Sequence, residues 1–371
     1  MKSITKKISS IYKEEGLVAL LRRSSNFITD RFFQTVVWNA VPKDRTLRLI
    51  ARSRVLTALY FLLSGTFYRE QRSVLWGIAS YSESEETGDE PHFRIIRNVH
   101  RIEKGLSMKD RRPVFAESYI EQVVADLRST WDRDGDKRLE WAVDVLAEYF
   151  DTVEMTPPIS AAKSNFDEFL AEIAYRPTDQ TPFRRDEIDG SGVRPEALEQ
   201  LSRQRTSTRW FEDKDVPREK LDSAIKVALQ SPSACNRQSY EFRLFDDREL
   251  IDSVSSLAMG ATGYRENIPC LGVIVGKQRA YFDDRDRHVI YIDASLAAMA
   301  FQFSLETQGL ASCCINWPAI PHRERKIETL LNLDPDECVV MMMAIGYPDP
   351  DEKVPYSKKM GVEDARSYNE L

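Results

Sequence analysis

The chain has 371 residues, 42% of them hydrophobic and 30% charged, with a formal net charge of -7. That is the composition of a soluble globular protein long enough for two domains, and it offers no basic excess that would call for a nucleic-acid partner. The charge is uneven, because residues 1–75 carry 14 Lys/Arg against 5 Asp/Glu, or +9, which leaves -16 for the remainder.

The first turn of the chain is basic, but Glu14 and Glu15 precede any apolar run, so no secretory signal is expected. From Ile11 to Val41, Leu17, Leu20, Leu21, Phe27, Ile28, Phe32 and Phe33 recur at helical spacing with Arg22, Arg23 and Arg31 between them. Such a helix either rests on anionic lipid or packs its apolar face on its own domain. The most apolar stretch, Val55–Tyr68, falls short of the roughly 20 residues a membrane span needs. Helical patterns continue over residues 92–150, through IIRNVHRIEKGL, YIEQVVADLRSTW and LEWAVDVLAEYF. TPPIS, RPTDQTP and DEIDGSGVRP then predict a linker from about Thr156 to Arg194. Helices and strands alternate beyond it. Strands are expected at Glu241–Phe245, Cys270–Val275, Ser312–Asn316 and within CVVMMMAIG, and helices at Lys220–Gln230, Arg248–Ala258, Tyr291–Thr307 and Arg323–Leu331. The expected organisation is a basic amphipathic segment (1–75), a helical block (76–155), a linker (156–200) and an α+β domain (201–371).

The five cysteines, Cys235, Cys270, Cys313, Cys314 and Cys338, are odd in number and lack zinc-ligand spacing, so they read as reduced thiols in a cytosolic protein and no metal is expected. At least one of Cys313 and Cys314 reads as core filler. DRDGDKRLE lacks the glycine and the glutamate of a calcium loop, and GVIVGK lacks the spacing and the hydroxyl of a phosphate loop. No glycine-rich dinucleotide fingerprint is present. His92, His100, His288 and His322 are scattered, and FDDRDRH reads as a solvated loop.

Two segments carry more. RTSTRWF puts Arg205, Ser207 and Arg209 on one side of an extended backbone, where they could hold an anion or simply be solvated. In SPSACNRQS, Pro232 ends a helix, Ser233 and Ala234 permit close approach, and Asn236 and Gln238 offer amides that could either read a heterocycle or cap their own turn.

Taken in order, RTSTRWF, VPREKLDSAIKVALQSPSACNRQSYEF and the Ala-rich helix before GLASCCINW resemble the nitroreductase family of FMN-dependent oxidoreductases, over about Leu201 to Leu371. The resemblance implies a nitroreductase-like α+β FMN-binding fold, a central, mostly antiparallel sheet flanked by helices, preceded here by an all-helical extension. It implies that Arg205, Thr206, Ser207 and Arg209 contact the FMN phosphate, ribityl chain and pyrimidine edge. Pro232, Ser233, Ala234, Asn236 and Gln238 would complete the site from the partner subunit of a homodimer. Cys314, Ile315, Asn316 and Trp317 match the segment beside the isoalloxazine, with a backbone N–H near Asn316 facing flavin N5. Ser357 and Lys358 match a C-terminal basic pair near the phosphate, and Arg265 a cation near flavin N1 and O2. Ser239-Tyr240 depart from the family's Pro-aromatic pair, Trp317 replaces a small residue, and GKQRAYFDDRDRH is short where substrate-covering helices are common.

The flavin would carry the chemistry, so no catalytic acid or base is implied. The expected activity is hydride transfer from NAD(P)H through FMN to a small-molecule acceptor. Two alternatives are a specialised flavin oxidase or dehydrogenase that does not use NAD(P)H, and a membrane-associated binding protein that retains the fold. The N-terminal EEGLVALLRR is similar to leaders of bacterial polysaccharide-assembly proteins, which implies a step in polysaccharide or cell-surface glycan biosynthesis. The location expected is cytoplasmic, with the basic N-terminus as a potential peripheral contact at the inner membrane face. In RNVHRIEKGL, His100, Arg101, Glu103 and Lys104 either form a lid over the site or a salt-bridged helix face.

Overall fold

The computed structural model describes residues 45–87, 92–134, 138–173, 175 and 178–370. The amphipathic segment Ile11–Val41, including EEGLVALLRR, lies outside the described residues. The chain divides into two compact units, residues 1–72 and 73–371. In the first, α1 (Arg45–Ala51) is followed by α2 (Arg54–Ser64), whose N-terminus is capped by the Ser53 side chain and whose end is turned by Gly65 at φ 63°. Helix α3 (Tyr68–Thr87) begins in this unit and continues into the second.

The second unit opens with four helices, α4 (His92–Leu106), α5 (Ile120–Asp134), α6 (Arg138–Thr152) and α7 (Pro157–Ile173). Ile95, Val99, Ile102 and Leu106 share one face of α4 and close over Val123, Leu127, Val143, Leu146, Phe166 and Phe169. Burying a side chain of this size contributes about 1.5–3 kcal/mol, which is why these positions recur at helical spacing. One charge pair enters this core, Arg94 to Asp126 in a two-pronged contact at 2.7 and 2.8 Å, with Gln122 Nε2 donating to Asp126 Oδ1.

Helix α7 corrects the linker predicted from Thr156. Pro157 and Pro158 look like breakers, yet proline is accepted in the first turn of a helix, where its missing N–H would have had no partner. Ile159, Ala162, Phe166 and Phe169 then form a buried face. The irregular segment after it is fastened by Asp144 of α6, which accepts from Thr178 N at 3.1 Å, Thr178 Oγ1 at 2.7 Å, Gln180 N at 2.9 Å and Tyr175 OH at 2.8 Å. Burial alone would raise the carboxyl's pKa, but these donors outweigh it and hold Asp144 below the usual carboxylate range.

After α8 (Pro195–Gln204) and α9 (Arg218–Ala228) come β1 (Tyr240–Phe245), α10 (Arg248–Ser255), β2 (Cys270–Lys277), α11 (Val289–Thr307), β3 (Ala311–Ile315), α12 (Pro321–Leu331), β4 (Glu337–Gly346) and a short α13 (Val362–Ala365). The sheet order is β1-β2-β4-β3, and every neighbouring pair is antiparallel. The central strands β2 and β4 are covered on both faces, so CLGVIVGK and CVVMMMAIG read as unbroken apolar runs. On one face Val273, Val275, Cys313, Ile315 and Met342 meet α10 and α12; on the other Ile274, Met343 and Ile345 meet α9 and α11. Helix α11 is part of Asp284–Thr307, a stretch that by length and composition could cross a membrane, but its Ala294, Ala297, Phe301 and Leu305 are core residues here. Helix α4 packs against the turns Ala234–Asn236 and Gln278–Ala280, which joins the helical block to the sheet.

Candidate functional site

β3 is an edge strand, and the segment after α8 lies along its free side. Ser207 bridges Ser312 in parallel, Thr208 N donates to Ser312 O at 3.2 Å, and Phe211 bridges Pro348. Asn267 fixes the end of the segment, accepting from Phe211 N at 2.6 Å and donating to Phe211 O at 3.0 Å. The Phe211 ring sits where a side chain on Gly346 would be, since a Cβ there would lie 2.7 Å from Phe211 Cδ1 and 2.5 Å from Pro269 Cγ. The glycine is therefore needed for the close approach that seats the segment.

Pairing on β3 sorts the side chains. Thr208 is buried, whereas Arg205, Thr206, Ser207 and Arg209 stay partly exposed. Along β3 the alternation points Cys313 and Ile315 into the α10/α12 core and leaves Cys314 and Asn316 exposed on the other side. Ile315 and Trp317 can thus serve a ligand on that side only through backbone, because both side chains are buried elsewhere. Arg205 caps α8 and lies within electrostatic reach of Cys314 and Glu306. Arg209 donates to Ser207 O at 3.2 Å and lies 5.9 Å from the centroid of Tyr264. Next to Tyr264, the buried Arg265 Nε has no hydrogen-bond partner among the described residues.

The second predicted group is built differently. Cys235, Asn236 and Gln238 all have positive φ, at 53°, 53° and 51°, a concentration of left-handed non-glycine residues that costs of order 1–3 kcal/mol each and has to be enforced by its surroundings. The enforcing contacts are visible. Ala234 N donates to Asp293 Oδ2 at 2.9 Å, Gln238 N to Ser233 Oγ at 3.1 Å, and Gln238 Nε2 to Leu229 O at 2.8 Å. Tyr281 OH joins Ser239 Oγ at 2.8 Å and donates to Asp293 Oδ2 at 3.2 Å, while the buried Arg237 stacks 4.8 Å from the Tyr281 ring. Burial raises the pKa of Asp293, opposed by the Ala234 N–H, Tyr281 OH and Arg237. Gln238 has spent one amide hydrogen inside the loop and keeps the other, with its carbonyl, for a ligand. Asn236 and Pro232 are exposed.

The two groups do not meet within one chain. RTSTRWF follows edge strand β3, and SPSACNRQS leads into the opposite edge strand β1, three strand spacings away, or about 14 Å. They also sit at opposite ends of the sheet, since Tyr240 pairs with Gly276 and Ala311 with Gly346. Ser357, at φ 46°, and Lys358 lie in an exposed tail. Sequence reasoning missed Asn267, Asp293, Tyr281 and Glu306. The carboxyl of Glu306 is raised by burial against Gln204 and Arg205, and its Oε1 is buried without a hydrogen bond. A polar residue inside an apolar helix, as at Asp293 and Glu306 of α11, was the available signal.

Residues 202–266 and 265–347 match the Nitroreductase family model. The chain is 24% identical over 182 residues to an iodotyrosine deiodinase of Thermotoga neapolitana, spanning 43% of this chain and 92% of that protein. It is 23% identical over 180 residues to an iodotyrosine deiodinase of Hydra vulgaris, spanning 42% of this chain and 66% of that one. Among solved structures, an FMN-dependent nitroreductase of Clostridium difficile R20291 is 27% identical with a TM-score of 0.39, over 46% of this chain and 98% of that chain. The C-terminal half of the chain is a nitroreductase-family domain with its antiparallel sheet, and the described sequence ahead of it is additional and helical.

Proposed function

We propose that the chain is an FMN-dependent oxidoreductase that takes electrons from NAD(P)H and passes them to a small-molecule acceptor, as a homodimer. The observation that carries the reading is the split site: two segments of the family pattern are each rigidly built, yet lie on opposite edges of one sheet. A second copy would bring one group against the other. Ile292, Leu296 and Met299 support this, forming an exposed apolar stripe on α11, the side of the sheet toward which Cys314 and Asn316 turn.

The residues fit the flavin. FMN, when bound, supplies the redox chemistry itself. Arg205, Ser207 and Arg209 would hold its phosphate and polar edge. Asn236 and the Gln238 carbonyl, from the other subunit, would orient it. The exposed face of β3 would supply backbone contacts at Asn316. Helix α4, seated on the Ala234–Asn236 turn, stands where it could cover the acceptor, in place of the helices that the short segment Gln278–His288 lacks. Cytoplasmic location belongs to the same proposal.

The test is spectroscopic. Purified protein should be yellow or reconstitute with FMN, sediment as a dimer, and be bleached by NADH or NADPH in stopped flow. A colourless preparation that cannot be reconstituted refutes the flavin reading, and a yellow one that neither nucleotide bleaches points to a specialised flavin enzyme. Reoxidation should then be screened with quinones, nitroaromatics, glycan precursors and, given the two deiodinase relatives, halogenated tyrosines.

A further inference from the structure

The motif RNVHRIEKGL on α4 divides its labour. His100 Nδ1 lies 3.0 Å from Glu103 Oε2, and Trp141 Nε1 donates to Glu103 Oε1 at 3.0 Å, so those two side chains are spent within the helical block. Arg101 and Lys104 do something else. They line a cavity of about 710 Å³, together with Lys109, Arg111 and Arg112 from the loop after α4, against one carboxylate, Asp110. Among the described residues, the side chains of Lys104, Lys109, Arg111 and Arg112 have no ion pair or hydrogen bond.

The cavity is shaped as well as charged. The buried Asn98 accepts from Arg101 at 3.2 Å, and the Arg101 guanidinium stacks 4.2 Å from the centroid of the Tyr119 ring, which fixes it at the cavity wall. Phe115 presses against the backbone of α4: a Cβ on Gly105 would lie 2.3 Å from Phe115 Cε2. Ala116, also lining the cavity, takes φ 60° just before α5. Folding has thus gathered five cations that repel one another around an aromatic wall. Five exposed cations set close together against a single carboxylate create a positive potential that favours an anion between them.

We propose that this cavity binds a small organic anion with a phosphate or diphosphate group beside a ring or apolar portion. Guanidinium groups match phosphate oxygens in paired contacts, Phe115 and Tyr119 supply a surface for the ring, and the volume suits a small molecule. The concave form favours a small molecule over a lipid surface, which would call for a convex basic face. The site is independent of the flavin reading.

Isothermal titration calorimetry on the full chain, with ADP and inorganic pyrophosphate as probes, tests the proposal. At least one probe should bind, more weakly as salt is raised, and Lys109→Glu/Arg111→Glu should lose about tenfold or more in affinity. Both positions are exposed loop residues, and an unchanged melting temperature will show that the variant is folded. Lys326→Glu, an exposed change on α12, should leave binding intact. Binding that survives the double substitution overturns the proposal, as does no binding of either probe at millimolar concentration. So does capture by phosphatidylglycerol vesicles that the double substitution abolishes but neither probe displaces, which would assign the cations to a membrane surface.

Discussion

Replacing Asp293 with alanine should loosen the SPSACNRQS loop. Asp293 Oδ2 accepts from Ala234 N at 2.9 Å and from Tyr281 OH at 3.2 Å, and the side chain is 3% exposed. Truncation orphans the Ala234 N–H, while Tyr281 keeps Ser239 Oγ at 2.8 Å. One buried donor left without a partner costs about 1–3 kcal/mol. The same loop already holds three residues at positive φ, so it has little reserve. If the loop must be ordered to receive FMN, the upper bound on lost affinity is roughly 5- to 150-fold, since 1.4 kcal/mol is about tenfold. Asp293→Asn should be mild, because the amide oxygen can still accept from Ala234 and a neutral amide avoids the desolvation that raises the carboxyl's pKa. A pKa raised in the fold means that loop stability is fully present below the unfolded value and falls as pH rises through the folded one. Hydrogen exchange of the amides at 234–240 reads the loop without flavin, and fluorescence titration with FMN reads affinity. Unchanged exchange in Asp293→Ala would refute the anchoring role, whereas faster exchange with unchanged FMN affinity would detach this loop from the flavin site.

Further substitutions separate chemistry from backbone. Asn236→Gly removes the amide while relieving φ 53°, so a weaker FMN complex with unaltered stability would assign the amide a direct contact. Cys235→Ala keeps the same backbone and should change FMN binding little; a large loss there would move the assignment to the thiol. Gly346→Ala drives a Cβ to within 2.7 Å of Phe211 and should cost about 1–3 kcal/mol in thermal or denaturant unfolding, with RTSTRWF displaced. Asp144, held low by its donors after burial is offset, contributes stability above its unfolded pKa that disappears as pH falls through its depressed folded value. Asp144→Ala should therefore flatten the acid limb of a stability-versus-pH curve, and a limb that keeps its shape would show that the clamp contributes nothing.

The sheet strands, the helices between them and the family pattern were legible in the residues, whereas α8, which begins inside the linker expected over 156–200, was not. Unbroken apolar runs marked β2 and β4 because both strands are covered on two faces, and helical spacing marked α9 and α11. Sequence reasoning misread α7, because local proline content says nothing about whether a first turn can tolerate it. Who meets whom is a long-range outcome. Asn267 reaches Phe211 across 56 residues and Asp293 reaches Ala234 across 59, and periodicity reports that a side chain is buried without naming its partner. Strand order is likewise a long-range outcome: placing β4 between β2 and β3 sends the two halves of the predicted site to opposite edges. The same limit hid the basic cavity, whose cations look like an ordinary solvated run until the packing of Phe115 on Gly105 folds them around one space.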